Sequence, residues 1–383
     1  MNERWNLDSL YHGFSDPNFT GDLQALKVAC GRFDTFTKSL EEMDPAHALR
    51  QGIEALEEIS SLSNLLLEYA SLRQSADTSD AEASSALGQV MAVVSQCAGA
   101  YARFQTYAAG LPNLDEILEA DELLRQYRFY FRQVREGSRY LLGSQGEDIM
   151  AKMQLSGSSA WSDLQAYLTS TVSVDYNGGV TNLSAIRNLA YDPDPAVRKA
   201  AYEAELACYD KIKDPVAFAL NSIKLETIHA AQLRGYESPL DKALKDARMQ
   251  RATLDAMFAA IDEYLPKFWA YLKAKAKALG HENGLPWYDL FAPMGKSGKT
   301  YTTEEARDYL LNLFGQFDTE LRDMVAEAFS NAWIDFFPRP GKTGGAFCAN
   351  VEKLNESRIL TNFDGSFSDI VTLAHELGHA FHN

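Results

Sequence analysis

His375-Glu376-Leu377-Gly378-His379 is the stretch of this chain whose residue types and spacing could do chemistry. On a helix, histidines four apart lie on one face, one turn apart, within reach of one ion. Zinc accepts neutral imidazole nitrogen at about 2.0–2.1 Å, and two ligands on a rigid helix lose little entropy on binding. Glu376 projects about 100° from His375, beside such an ion rather than on it. A carboxylate there can take a proton from zinc-activated water and pass it to a leaving amine. The motif therefore implies metal-assisted hydrolysis, with His375 and His379 as ligands and Glu376 as general base. The competing reading is a hydrogen-bonded pair of core histidines with a surface glutamate. A chance match in a chain with seven histidines is on the order of 1 in 100, and the apolar setting of Ile370, Leu373, Leu377 and Phe381 favours the metal reading.

A catalytic zinc of this type takes three protein ligands and a water, typically two histidines and a glutamate. Only Ala380, Phe381, His382 and Asn383 follow the motif. His382 is not read as a ligand, because the metzincin pattern wants glycine at that position and a histidine three residues on. His12, His47, His229 and His281 have no motif context. The third ligand is expected to lie outside this chain, so zinc is assigned at one ion per complete site and the isolated 1–383 chain is expected to be inactive. Gly378 costs about 1 kcal/mol against alanine; it either clears space for backbone or substrate or packs on a neighbouring helix. Thr372 is expected to satisfy a backbone carbonyl.

The elements that must position this helix are mostly helical. Apolar periodicity marks a first helix through Leu23 and Phe36 with Glu41-Glu42 near its end, and a second from His47 to about Ser75. Ser79-Asp80 can cap a third that continues through Val90 to Tyr107. The aromatics of Tyr127–Phe131 read as packed core. Val172, Val174 and Tyr176 alternate with polar residues before Asn177-Gly178-Gly179, a hairpin signal. A soft boundary falls between about 180 and 196, giving regions 1–185 and 186–383. Further helices are expected from about Ala196 and near 215–234, 250–280 and 303–334.

Pro338 to Gly345 cannot be helical. Ala346–Val351 and Arg358–Phe363 are strand candidates, Asp364-Gly365 turns the chain, and Ser366 or Ser368 caps the motif helix with Asp369 in its first turn. The fold class is mainly α with a small β element before the motif helix. Gly345, Ala346 and Phe347 begin a strand whose edge could pair with a peptide backbone, and Gly344-Gly345 would permit close approach. The plainer reading is a packed strand behind a flexible loop.

The chain has 383 residues, 46% of them apolar and 11% aromatic, which is globular. Its net charge of −17 repels phosphate backbones and anionic lipid, excluding nucleic acid and membrane surfaces as partners. No apolar run is long enough to span a membrane. Met1-Asn2-Glu3-Arg4-Trp5 carries no leader signal, so Cys30, Cys97, Cys208 and Cys348 are expected to be reduced thiols in a cytoplasmic protein. Cys348 is read as packing rather than as a nucleophile.

Trp5-Asn6-Leu7-Asp8-Ser9-Leu10-Tyr11, Gly341 to Cys348, Arg358 to Phe363 and Thr372 to His382 together resemble the oligoendopeptidase F family of thimet-oligopeptidase-like zinc metallopeptidases. The resemblance covers nearly the whole chain. It implies a multi-helix, clam-like enzyme with a deep channel, cutting short peptides internally in the cytoplasm. By match to the motif, His375 and His379 would be zinc ligands and Glu376 the base. The family's third ligand is a glutamate on a later helix, and its substrate-contacting histidine and tyrosine residues are later too. The family's C-terminal part is expected to lie outside this chain; a partner role for that part, or a catalytically incomplete scaffold or peptide-binding module, is the alternative.

Overall fold

Aspartates open the first helices. The carboxylates of Asp16, Asp44 and Asp80 accept the N–H groups of Asn18, His47 and Ala83, starting α1 (Pro17–Phe36), α2 (Pro45–Ala76) and α3 (Ala81–Ser95). The structure, a computed structural model, describes residues 3–295 and 299–383. Met1 and Asn2, at the start read above for a leader, lie outside the described residues. α1 stops at Phe36, and Leu40–Glu42 forms a separate 3₁₀ turn. The single helix expected through Tyr107 is two, because tight i+3 bonds from the N–H groups of Gln96 and Cys97 close α3 before α4 (Ala98–Gly110) begins. Then come α5 (Leu114–Ala120), α6 (Glu122–Gln126), α7 (Arg128–Gly137), α8 (Gly143–Gln154) and α9 (Ala160–Thr171).

Helices α1 to α7 share one core around Phe33, Leu66, Phe104 and Phe131. Of the aromatic stretch read as core, Phe131 is buried and Tyr127 and Tyr130 pack against it, while Phe129 faces outward beneath Arg248. Cys30 and Cys97 are joined in this core as a disulfide, with Cα atoms 5.6 Å apart. That corrects the expectation of four reduced thiols; the pairing spans 67 residues and no local spacing announces it.

The hairpin lies where the turn residues put it: β1 (Ser173–Tyr176) pairs antiparallel with β2 (Gly179–Asn182). Asn177 (φ 53°) and Gly178 (φ 77°) both take the left-handed backbone that a two-residue hairpin turn needs. It packs on α10 (Leu183–Asn188) and α11 (Pro195–Tyr209). After them run α12 (Lys213–Leu233), α13 (Pro239–Asp246) and α14 (Arg251–Ala278). The helix expected over 303–334 is instead α15 (Thr303–Gly315) and α16 (Thr319–Ser330), because Asp318 caps a fresh start by accepting the N–H of Leu321 at 2.9 Å. The end of that range is β3 (Ile334–Asp335), a strand the periodicity concealed.

β4 (Phe347–Val351) and β5 (Glu356–Leu360) complete a sheet in the order β3-β5-β4, with β5 parallel to β3 and antiparallel to β4. β5 alternates: Leu360 enters the N-terminal core, and Ile359 enters a second core with α15, α16 and α17 (Phe367–His382). The sheet is thus the layer that fixes α17 to the N-terminal helices. Buried Arg358 adds a clasp, donating to the carbonyl of Asn6 at 2.9 Å and to Ser9 Oγ at 2.7 Å. No helix among the described residues is long and apolar enough to cross a membrane.

Candidate functional site

α17 begins with a reciprocal cap. Asp369 N–H donates to Ser366 Oγ at 3.2 Å, and Asp369 Oδ2 accepts the N–H of Ser366 at 3.0 Å. Ser366, not Ser368, is therefore the cap. The same oxygen accepts the N–H groups of Asp364 and Gly365. Gly365 has φ 94°, and a Cβ there would lie 2.7 Å from the carbonyl oxygen of Tyr301, so only glycine fits the turn. Ile370, Leu373 and Leu377 bury the inner face of α17 in the second core.

The outer face presents the motif. The His375 and His379 rings lie 4.7 Å apart at 88°, with Nε2 atoms 3.1 Å apart. Two nitrogens at that separation, each about 2.05 Å from one ion, subtend about 100° there, close to a tetrahedral angle. Both rings are exposed, and Glu376 beside them is only 7% exposed. Among the described residues nothing donates a hydrogen bond to its carboxylate. The donor set fits zinc: two imidazole nitrogens converge, and a carboxylate stands free next to them. Among the described residues no third His, Cys, Asp or Glu joins the pair; His382 is exposed. Thr372 Oγ1 donates to the carbonyl of Ser368 at 3.1 Å, as expected. A Cβ on Gly378 would meet nothing within 4 Å, so no packed neighbour explains that glycine and open space remains.

β4 packs beside α17 and, among the described residues, is bonded to one strand, β5. Gly345 (φ 81°) and Ala346 precede it. Asn362 Nδ2 holds this approach by donating to the carbonyls of Gly345 at 2.8 Å and Thr343 at 3.1 Å. The Phe347 side chain turns into the N-terminal core, its ring 6.3 Å from that of Trp5. Cys348 faces the α17 core, and burial pushes its thiol up to about 11, which suits packing and not nucleophilic attack.

Sequence reasoning missed a cleft of about 690 Å³ that opens between Gly345, Ala346 and Thr372 on one side and α11 with residues 287–291 on the other. Its wall is set by buried Arg198, whose Nε and Nη2 donate to Asp289 Oδ1 at 2.9 and 2.7 Å. No motif announces these residues, which lie about 90 apart in the chain; the aromatic run Trp287-Tyr288 was the only local signal.

Asp364 sits at the entry to α17. Burial, then the neighbouring Asp369 carboxylate, push it up to about 7. The folded chain then holds a proton on Asp364 that the unfolded chain releases near its ordinary value of 3.8. Stability from this group is present at low pH and is lost as pH rises from about 4 to about 7. Asp364→Asn should therefore raise Tm at pH 8 and not at pH 4. The side chain still meets solvent, so the gain is held to about 1 kcal/mol or less. Equal melting differences at both pH values would contradict the assignment.

Known proteins place these features in a family. Residues 188–383 match the model of peptidase family M3, and residues 111–173 match that of oligopeptidase F. An oligoendopeptidase F homolog of Mycoplasma pneumoniae is 27% identical over 99% of this chain and 63% of its own length. Oligopeptidase PepF of Bacillus subtilis is 24% identical over 100% of this chain and 57% of its own length. The solved structure of PZ peptidase A with an inhibitor superposes with a TM-score of 0.74 at 18% identity, over 94% of this chain and 62% of that one, and so shares the fold. The chain spans about three fifths of the length of these relatives. The M3 match includes the sheet, α17 and both histidines, and the chain belongs to peptidase family M3, in the oligoendopeptidase F group.

Proposed function

We propose that the protein is a zinc-dependent metalloendopeptidase acting on short peptides. The carrying observation is the pair of Nε2 atoms 3.1 Å apart beside Glu376, a residue only 7% exposed whose carboxylate receives no hydrogen bond from a described residue. His375 and His379 hold the ion. Bound zinc would supply Lewis-acid polarisation of the scissile carbonyl and of a water molecule. Glu376 takes the proton of that water and returns it to the departing amine. The open edge of β4, entered at Gly345, Ala346 and Phe347, pairs with the peptide main chain, Phe347 through its backbone alone. A third donor completes the site from outside these residues, in the length that the relatives have beyond the span matched. Residues 1–185 form the N-terminal helical region, and 186–383 the first part of the catalytic region.

The test is metal binding and cleavage in the full-length protein. Zinc should bind at one ion per chain, and chelation should stop peptide cleavage until zinc is returned. His375→Ala or His379→Ala should weaken zinc binding by at least about 100-fold in chelator competition. Native affinity in either variant would remove the metal assignment.

A further inference from the structure

The cleft beside the motif has a chemical character of its own. Thr372 and Ser368 line its floor. On the helical wheel of α17 they share the face of Glu376 and His379, which lie within about 40° of Thr372. The cleft therefore continues the candidate site one turn toward the N-terminus of α17. Gly345 and Ala346 form its rim, so a peptide paired along β4 would direct alternate side chains into it.

Its wall offers aromatic surface. Trp287 is 66% exposed and Phe291 47%. Tyr191 lies 5.2 Å from Phe291, and Tyr202 lies 5.9 Å from Tyr288. The charges in the same wall are already matched. Arg187 donates to Glu205 Oε1 at 2.8 Å, Arg198 to Asp289, and Asp369 Oδ2 holds three backbone N–H groups. A charged side chain entering here would lose water and find every counter-charge taken, with the unpartnered amide oxygen of Asn362 as the one buried acceptor left free among the described lining residues, whereas an aromatic one would meet rings at stacking distance. The volume of about 690 Å³ exceeds what a small side chain can fill, and falls within the ~300–1,000 Å³ of ligand pockets.

We infer that this cleft is a specificity subsite that takes a bulky aromatic side chain of the peptide, adjacent to the scissile bond. The inference rests on the peptidase reading. Ala190 lines the cleft and is a place to fill it; Trp287 and Phe291 are places to empty it.

The experiment has two arms. In the full-length zinc-loaded enzyme, blocked peptides that differ at one position are compared for kcat/KM. At one position Phe, Tyr or Trp should exceed Ala, Lys and Asp by at least about tenfold. That ratio should fall at least about fivefold in Trp287→Ala with Phe291→Ala, and small residues should be preferred in Ala190→Trp. In the second arm, binding of a Phe-bearing and an Ala-bearing blocked peptide to metal-free protein is measured by NMR titration. The Phe peptide should bind more tightly, and Ala190→Trp should abolish the difference. Cleavage with no aromatic preference, or with preference for Lys, Arg, Asp or Glu, overturns the subsite and leaves the peptidase reading standing. Absence of any cleavage overturns the peptidase reading, and the binding arm then decides the subsite alone, equal affinities rejecting it.

Discussion

In the full-length, zinc-loaded protein, Glu376→Gln should reduce kcat for peptide cleavage by at least about 10³-fold and leave one zinc per chain. The magnitude follows from the role: a positioned general base contributes about 10²–10⁴-fold. The retention of metal follows from the geometry. His375 and His379 converge on their own, and Glu376 lies beside them, 7% exposed. Glutamine keeps the shape and removes the proton acceptor. It also removes a carboxylate that receives no hydrogen bond from a described residue, so unfolding should show no loss of stability. A variant that cuts at more than a tenth of the native rate would exclude Glu376 as the base. A variant that loses zinc together with activity would instead make Glu376 part of the metal's support.

The motif helix was legible because three local signals agree in one stretch: the Ser366/Asp369 cap, the apolar face of Ile370, Leu373 and Leu377, and the histidine spacing. The hairpin was legible for the same kind of reason, since Asn177-Gly178 supplies two residues that accept positive φ. Where sequence reading erred, the deciding force was not local. The apolar period of α3 runs on into α4, and only the hydrogen bonds at Gln96 and Cys97 show the break. β3 is two residues long and owes its existence to β5, some 25 positions later. The Cys30–Cys97 pairing and the Arg198–Asp289 bond join residues 67 and 91 apart. Side chains of the cleft come from α11 and from the 287–291 segment, so neither element reveals the cleft by itself. The approach to β4 through Gly345 and Ala346 was read from glycine chemistry, but the inward turn of Phe347 depends on Trp5, far off in sequence.

That edge is held by a residue whose type is hard to place from sequence. Lys342 is 1% exposed; its Nζ lies 2.6 Å from Asp335 Oδ1 and donates to the carbonyls of Phe337 at 2.9 Å and Asp335 at 3.2 Å. Arg339 completes the cluster with donors to both oxygens of Asp335 and to the carbonyl of Ala76. The surrounding loop is tied down as well: Gly341 N–H donates to the carbonyl of Ser170, Thr78 N–H to that of Gly341, and Thr343 N–H to that of Ser75. The segment that leads into Gly345 is therefore pinned to α9 and to the turn after α2. Lys342→Met keeps the length of the side chain and removes its charge and donors. Two carbonyls lose a buried partner, and Asp335 is left to Arg339 alone. Breaking a buried pair costs about 3–5 kcal/mol; with Arg339 still present, about 3 kcal/mol is expected. For a chain of this size that lowers Tm by roughly 4 °C. Burial also pushes Lys342 down to about 8. Between that value and the ordinary 10.5 the unfolded chain holds more protons than the folded one, so this group's contribution to stability rises with pH across the window. The melting difference between the native protein and Lys342→Met should therefore widen from pH 8 to pH 10. A variant that melts with the native protein at pH 8 would show that the cluster does not fasten the loop. A difference that narrows toward pH 10 would show that the lysine keeps its proton there and that its pairing with Asp335 outweighs its burial.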